Sequence, residues 1–175
     1  IRDSSTSRGL GDVYKRQLLG GVGAGVTIAI LAYITFQSIL AGSVYGLWIA
    51  ASFGSSVVVV FGYPDNEFAQ PKNVIFGHLL CAFIGIIFVT LFKISQDRTI
   101  FFLAIGIAVG LSVMFMMALK ITHPPAGGNT IVVMLAQDSF QFLIFPVMVG
   151  AVTIVIGGII YNRLILKKNY PLKWL

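Results

Sequence analysis

The stretch HPPAGGNTIVVML, residues 123–135, decides the fold of this chain because it ends in an apolar segment that is too short to cross a bilayer. Its thirteen residues would cover roughly 20 Å as a helix, whereas a hydrocarbon core of about 30 Å needs about 20 residues. Prolines suit the first turn of a helix, and the glycines after them allow close approach of the backbone. We therefore predict a partial helix that begins inside a membrane protein.

The composition outside this stretch is that of an integral membrane protein. The chain is 57% hydrophobic and 10% charged, with a mean hydropathy of +0.93, which excludes a soluble globule. Long apolar runs predict an all-α polytopic fold, because lipid leaves open backbone groups unsatisfied. The runs without Asp, Glu, Lys or Arg cover residues 18–64, 73–92, 99–119, 121–137 and 139–162.

The domain prediction separates residues 1–17 from the rest. This segment carries six of the eighteen charged residues and no apolar period, so we predict a non-native or disordered leader, most simply an artefact of sequence assembly. Residues 18–175 then form one transmembrane domain. We expect about four full spans plus two short broken or re-entrant helices, one within residues 43–62 and the other at residues 123–135.

The direction of the short elements is open. If both re-enter, there are four crossings and the two halves of the chain are parallel repeats. If both cross, there are six crossings and the halves are inverted. Beyond residue 17, six Lys and Arg residues lie on one side and two on the other in either scheme, and both schemes place the chain ends in the cytoplasm. The shortness of residues 123–135 favours re-entry.

An internal repeat is predicted from an offset of 74 positions. GSSVVVVF at residues 54–61 aligns with GNTIVVML at residues 128–135, each a glycine, two small polar residues and five apolar ones. Interrupted short segments at matching positions of two halves are typical of transporter binding sites.

Several motifs resemble those of the HPP family of integral membrane proteins. They are the triplet His123, Pro124 and Pro125 with the following AGG, AQPKNVIFGH at residues 69–78, PVMVGA at residues 146–151 and YNR at residues 161–163. The resemblance implies a four-span helical protein that transports a small monovalent anion. Nitrite is the first candidate, because plastid and cyanobacterial relatives act in nitrite transport. The alternative is a non-transporting membrane scaffold or sensor.

The residues permit anion transport independently of this resemblance. A helix N-terminus offers N–H groups and a positive dipole end without fixed charge, and histidines in a membrane can carry a proton with the anion. Alternatively, His123 caps backbone carbonyls and His78 forms a hydrogen bond between helices. The candidate substrate-binding residues are His78, His123, Pro124, Pro125, Gly127, Gly128, Asn129, Thr130, Gly54, Ser55 and Ser56.

The remaining expectations concern chemistry, partners and location. No catalytic constellation is visible, so we predict no enzyme activity, no cofactor and no metal. The expected partners are a small inorganic anion, the lipid bilayer and further copies of the chain, with no nucleic acid. We expect the protein to lie in the cytoplasmic membrane of a bacterium.

Overall fold

The computed structural model describes residues 10–40, 50–95, 100–136 and 139–174 and contains helices but no strand within those ranges. The predicted all-α membrane fold is confirmed. The α-helices of these ranges are α1 (Leu10–Leu40), α2 (Ala50–Val57), α3 (Pro71–Ser95), α4 (Phe101–Ala118), α5 (Gly127–Ala136) and α6 (Val149–Ile160). Short turns of helix extend three of them: Val58–Gly62 after α2, Pro124–Ala126 before α5, and Leu143–Met148 and Tyr161–Ile165 on either side of α6.

Four of the described segments are long and apolar enough to span a membrane, as predicted. They are Tyr14–Gln37, Pro71–Leu91, Phe101–Ala118 and Leu143–Ile165. The two short elements are also present, as Ser52–Gly62 and as the ten-residue α5. The last span is interrupted near its start, where Phe145 is extended (φ −128°, ψ 118°) before Pro146, since proline disfavours helical geometry in the preceding residue.

The first helix starts earlier than the sequence pattern predicts. It begins at Leu10 and continues without a break through the predicted start of the first span at Leu18. Residues 10–17 of the predicted leader are helical in the structure. The assignment of the leader as non-native stays a prediction, and residues 1–9 lie outside the described part of the chain.

The C-terminal segment folds back onto the loop that joins α2 to α3. The Lys168 ammonium lies 3.6 Å from the carboxylate of Asp65, and the hydroxyl of Tyr170 donates to the carbonyl of Ala69 at 2.7 Å. We call the side of the protein at residues 63–70 the loop face. The start of α1 lies there too, because Arg16 lines the same cleft as Tyr63.

These contacts favour the crossing topology over the re-entrant one that the sequence favoured. The turn before α5 lies at the loop face, since the side chain of Asn73 donates to the carbonyl of Thr122 at 2.9 Å. The last span also ends at the loop face, so α5 must carry the chain away from it. By the same reasoning α2 brings the chain back from the far end of α1. Lys72 and Lys120 consequently share a side with the C-terminal lysines.

Glycines set the closest contacts between helices. A Cβ atom at Gly85 of α3 would lie 3.0 Å from the carbonyl oxygen of Thr130 and 3.1 Å from Cβ of Val133 on α5. In the other half, Gly150 of α6 adjoins the ring of Phe53 from α2. Close glycine contacts of this kind let membrane helices approach each other.

Candidate functional site

A buried polar cluster lies where α2, α3 and α5 meet near the loop face. Ser56 comes from α2, His78 from α3, His123 from the turn before α5, and Asn129 from α5. All four side chains are fully buried. Buried polar groups in an apolar setting are costly unless they are hydrogen-bonded, so their mutual contacts decide what this cluster is.

The prolines of the HPP triplet fix the position of His123. The residue before a proline is held in an extended conformation, and His123 has φ −136° and ψ 96°. Its carbonyl accepts the N–H of Ala126 at 2.9 Å, which closes the turn at Pro124–Ala126. The imidazole is thereby directed towards α2 and α3 rather than along α5.

Ser56 bridges the two imidazoles. Its Oγ lies 2.7 Å from Nε2 of His78 and 2.9 Å from Nε2 of His123. The far nitrogen of each ring has its own partner: Nδ1 of His123 lies 2.8 Å from the carbonyl oxygen of Phe68, and Nδ1 of His78 lies 2.8 Å from Nδ2 of Asn129. The five groups form one continuous chain of hydrogen bonds.

The two terminal groups of this series of hydrogen bonds, the Phe68 carbonyl and the Asn129 amide, determine which imidazole nitrogens carry hydrogen. The carbonyl of Phe68 can only accept, so Nδ1 of His123 carries hydrogen, and in the neutral ring Nε2 is then an acceptor. The amide nitrogen of Asn129 can only donate, so Nδ1 of His78 accepts and its Nε2 carries hydrogen. The hydroxyl of Ser56 therefore accepts from His78, and its single proton faces two competing acceptors, Nε2 of His123 at 2.9 Å and the carbonyl of Ser52 at 3.0 Å. Both histidines are neutral in this arrangement and occupy different tautomers.

The carbonyl oxygen of the Asn129 side chain is the exception to this pairing. Nδ2 of Asn129 approaches two acceptors, Nδ1 of His78 and the backbone carbonyl of the same residue at 3.4 Å. Oδ1 of Asn129 is buried and has no hydrogen-bond partner. If the amide were reversed, Oδ1 would face the carbonyl oxygen of His78 and the two would repel each other. Electrostatics therefore favour the orientation in which Nδ2 faces His78. An unpaired buried acceptor is unusual and needs an explanation.

Aromatic and hydroxyl groups surround the cluster. The ring of Phe53 meets that of His78 edge-on, with 4.9 Å between ring centroids. One turn deeper, the hydroxyl of Thr130 lies 2.9 Å from the carbonyl of Cys81 and 2.8 Å from the hydroxyl of Ser112. The sequence predicts Thr130 as a binding residue, but these contacts tie it to α3 and α4.

The other predicted site residues differ in their exposure and in how closely other atoms approach them. Ser55 is exposed and points away from the cluster, Pro124 is exposed, and Pro125 is half-buried. A Cβ atom at Gly128 would lie 2.8 Å from Oγ of Ser52, whereas those at Gly54 and Gly127 would meet no atom within 4 Å.

Some of the N–H groups at the start of α5 already have partners within the protein. The N–H of Gly127 already bonds to carbonyls of the preceding turn, the N–H of Ala126 bonds to the carbonyl of His123, and prolines have no N–H to offer. The free donors that the sequence places at Gly127 are thus already used.

Sequence reasoning missed three participants. The carbonyl of Phe68 carries no side-chain signal, since every residue has such a group. Ser52 contributes a carbonyl 3.0 Å from Oγ of Ser56, and Ser112 lies in a span with no other polar residue. The four-residue spacing of Ser52 and Ser56 on one helix face was the one available signal.

No Asp, Glu, Lys or Arg is buried among the described residues. The buried polar side chains there are Thr27, Ser52, Ser56, Gln70, Asn73, His78, Ser112, His123, Asn129, Thr130 and Asn162. The two histidines are thus the only members of this set that can gain a proton near neutral pH, and the described interior contains no carboxylate to neutralise it.

A model of the HPP transmembrane region matches residues 12–171 of this chain. The chain belongs to the HPP transmembrane family. Two similar relatives are transmembrane proteins of Dictyostelium discoideum. The HPP chain is 32% identical to one over 152 residues, covering 84% of the chain and 52% of the relative, and 30% identical to the other over 133 residues, covering 73% and 42%.

The HPP chain spans about half the length of these two relatives. No solved structure matches it significantly. The likeness establishes an integral membrane protein of the HPP family, and the chemistry of the buried cluster has to be argued from the residues themselves.

Proposed function

We propose that this HPP protein is a transporter rather than an enzyme, and that it moves a small monovalent anion together with a proton. Nitrite is the first candidate. The observation that carries the proposal is the buried pair of His78 and His123, joined by Ser56 at 2.7 and 2.9 Å without a carboxylate among the described buried residues.

The reasoning starts from the cost of burying a charge. A protonated imidazole in an apolar interior is strongly unfavourable unless an opposite charge lies close to it. The described interior supplies no such charge, so an anion that arrives from outside is the natural counterion. Proton and anion then bind best together, which is the requirement for coupled transport.

The same chemistry disfavours a cation substrate. Cation sites in proteins are built from carboxylates, carbonyls or several ligating side chains. The cluster offers instead imidazoles, a hydroxyl and an amide, which become donors to an anion once a proton is added. Small monovalent anions fit this set because one added proton balances one negative charge.

An inverted internal repeat supports the transporter class. Gly77 and Gly150, and likewise Gly85 and Gly158, are 73 residues apart. Gly77 and Gly85 contact α5 and its turn, while Gly150 and Gly158 contact the short element of the first half through side chains of that element. Each short element thus packs, through glycines at equivalent positions, on the span that follows the short element of the other half. Inverted halves with short, interrupted helices are a recurrent transporter architecture.

The test is nitrite uptake into proteoliposomes that contain the purified protein, with and without an inward proton gradient. Uptake above that of protein-free liposomes, raised by the gradient, is expected. His123→Ala, which removes one histidine of the buried pair, should abolish the stimulation. Absence of flux for nitrite and for other monovalent anions would overturn the transporter proposal and favour a scaffold or sensor.

A further inference from the structure

We propose that the side-chain amide of Asn129 is the switch that couples the anion to the proton. The inference rests on the proposed function, and it names the group that makes the two bindings interdependent. It starts from the buried and unpartnered Oδ1 of Asn129 and from the 2.8 Å contact between its Nδ2 and Nδ1 of His78.

In the neutral state the amide faces His78 with its nitrogen. Nδ1 of His78 has a lone pair, which accepts from Nδ2 of Asn129. Oδ1 is then directed away from the ring and has no partner. A carbonyl oxygen carries partial negative charge, so this orientation repels an anion and leaves an acceptor unused in the protein interior.

Protonation of His78 reverses this geometry. A proton from solvent adds to the lone pair of Nδ1, and no covalent bond is broken. The new N–H now opposes the N–H of the Asn129 amide, and rotation of that amide by about half a turn replaces nitrogen with oxygen, as the two faces of an amide have nearly the same shape. Oδ1 thereby gains the donor that it lacks in the neutral state.

The rotation also creates the anion site. Nδ2 of Asn129 then occupies the position that Oδ1 held, away from His78, and directs its two N–H groups there, beside a ring that now carries a positive charge. Hydrogen bonds from an amide and attraction by a nearby imidazolium both favour an anion. The anion is thus attracted only in the state that has already taken a proton, and release of the proton returns the repelling oxygen to the anion site.

Among the titratable groups near Asn129, His78 is the one whose protonation would reorient its amide. Helices α2, α4, α5 and α6 carry no Asp, Glu, Lys or Arg. The titratable groups on the packed elements are His123 on the far side of Ser56, Cys81 one turn deeper on α3, Lys72 and Lys93 near the two ends of α3, and the exposed Glu67 in the loop. The contacts of the Asn129 amide nitrogen are to His78 alone.

Asn162 provides a matched control. It is also fully buried with an unpaired Oδ1, but its Nδ2 donates to the backbone carbonyls of Gly158 and Val60. A carbonyl does not gain a proton in this pH range, so no such rotation is triggered at Asn162. Asn129→Ala and Asn162→Ala remove the same groups from comparably buried sites.

The experiment measures nitrite affinity and proton uptake by calorimetry on the purified, detergent-solubilised protein over a series of pH values and buffers. For the wild type we expect one proton bound per nitrite and an affinity that rises by about tenfold per unit fall in pH, the slope for one linked proton. Asn162→Ala should keep that slope. Asn129→Ala should bind nitrite at least about tenfold more weakly with a flat pH dependence.

The outcomes separate the inference from the proposed function. Absence of binding of nitrite and of other small monovalent anions, or binding without proton uptake, in the wild type would overturn both. Wild-type linkage that persists in Asn129→Ala would overturn the switch alone. Should Asn129→Ala fail to fold, ¹⁵N NMR of the wild-type histidines decides: nitrite addition must convert the His78 ring to the doubly protonated form, and an unchanged ring would contradict the switch.

Discussion

Oγ of Ser56 and Nε2 of His78 lie 2.7 Å apart, and this contact joins two elements that the sequence separates by 22 positions. Because the single proton of the hydroxyl is directed to Nε2 of His123 or to the carbonyl of Ser52, His78 has to donate to the hydroxyl oxygen. The short hydrogen bond therefore places the hydrogen of His78 on Nε2, and the carbonyl of Phe68 places that of His123 on Nδ1.

The tautomers are directly testable because the chain has only two histidines. At neutral to alkaline pH and without anion, we expect ¹⁵N NMR to show one ring protonated at Nε2, assigned to His78, and one protonated at Nδ1, assigned to His123. A His123→Gln variant identifies the signals. Two rings in the same tautomer would contradict the proposed directions of the hydrogen bonds through Ser56.

Replacement of the bridging hydroxyl should destabilise the protein. Ser56→Ala leaves a buried nitrogen on each imidazole without its partner, so we expect a loss of about 1–3 kcal/mol, seen as a lower melting temperature in detergent. Thr90→Ala is the control, since its hydroxyl bonds to the carbonyl of Ile86 on its own helix. An equal effect of the two substitutions would argue against the bridge.

The glycine contacts predict opposite effects of the same substitution. Gly150→Ala forces the ring of Phe53 away from its position against His78 and should cost about 1–3 kcal/mol, together with a fall in transport. Gly106→Ala should be neutral or stabilising by up to about 1 kcal/mol, because its Cβ would meet no atom within 4 Å and alanine favours helix. Thermal melting of both variants measures the difference.

Alkaline pH should loosen the C-terminal segment. Tyr170 is fully buried, and burial raises the pKa of its hydroxyl above the ordinary value of 10.0. The folded segment thus holds the neutral form, and its docking is fully stable below that value and weakens as the pH rises past it, because only the undocked hydroxyl ionises readily.

Hydrogen exchange of residues 166–174, corrected for the intrinsic effect of pH, measures this docking. Tyr170→Phe should lose the hydrogen bond to Ala69 and with it the extra pH dependence. Protection that declines equally in the wild type and in Tyr170→Phe would show that another group controls the segment.

Much of the fold followed from the sequence because the bilayer imposes a length. The charge-free runs predicted the long spans, and the short stretch that begins at His123 predicted a partial helix. Hydropathy does not determine the direction of a short element, and the balance of Lys and Arg was the same for both topologies. Contacts such as that of Lys168 with Asp65 were needed to favour crossing.

The site was predictable only as a set of candidates. His78, His123, Ser56 and Asn129 stand out as polar residues in apolar segments, but adjacent helical positions face different directions. Without knowing where α3 lies, the sequence could not separate the buried Ser56 from the exposed Ser55. The role of the main-chain carbonyl of Phe68 could not be predicted, because every residue has such a carbonyl.

Coupling of proton to anion is best measured inside proteoliposomes that contain a pH-sensitive dye. On addition of external nitrite, we expect internal acidification that is greater than in protein-free liposomes and proportional to nitrite entry. In His123→Ala, internal acidification should no longer follow nitrite entry. Nitrite entry through the wild-type protein without acidification above the protein-free background would contradict the proposal that the buried histidine pair takes up a proton with its anion.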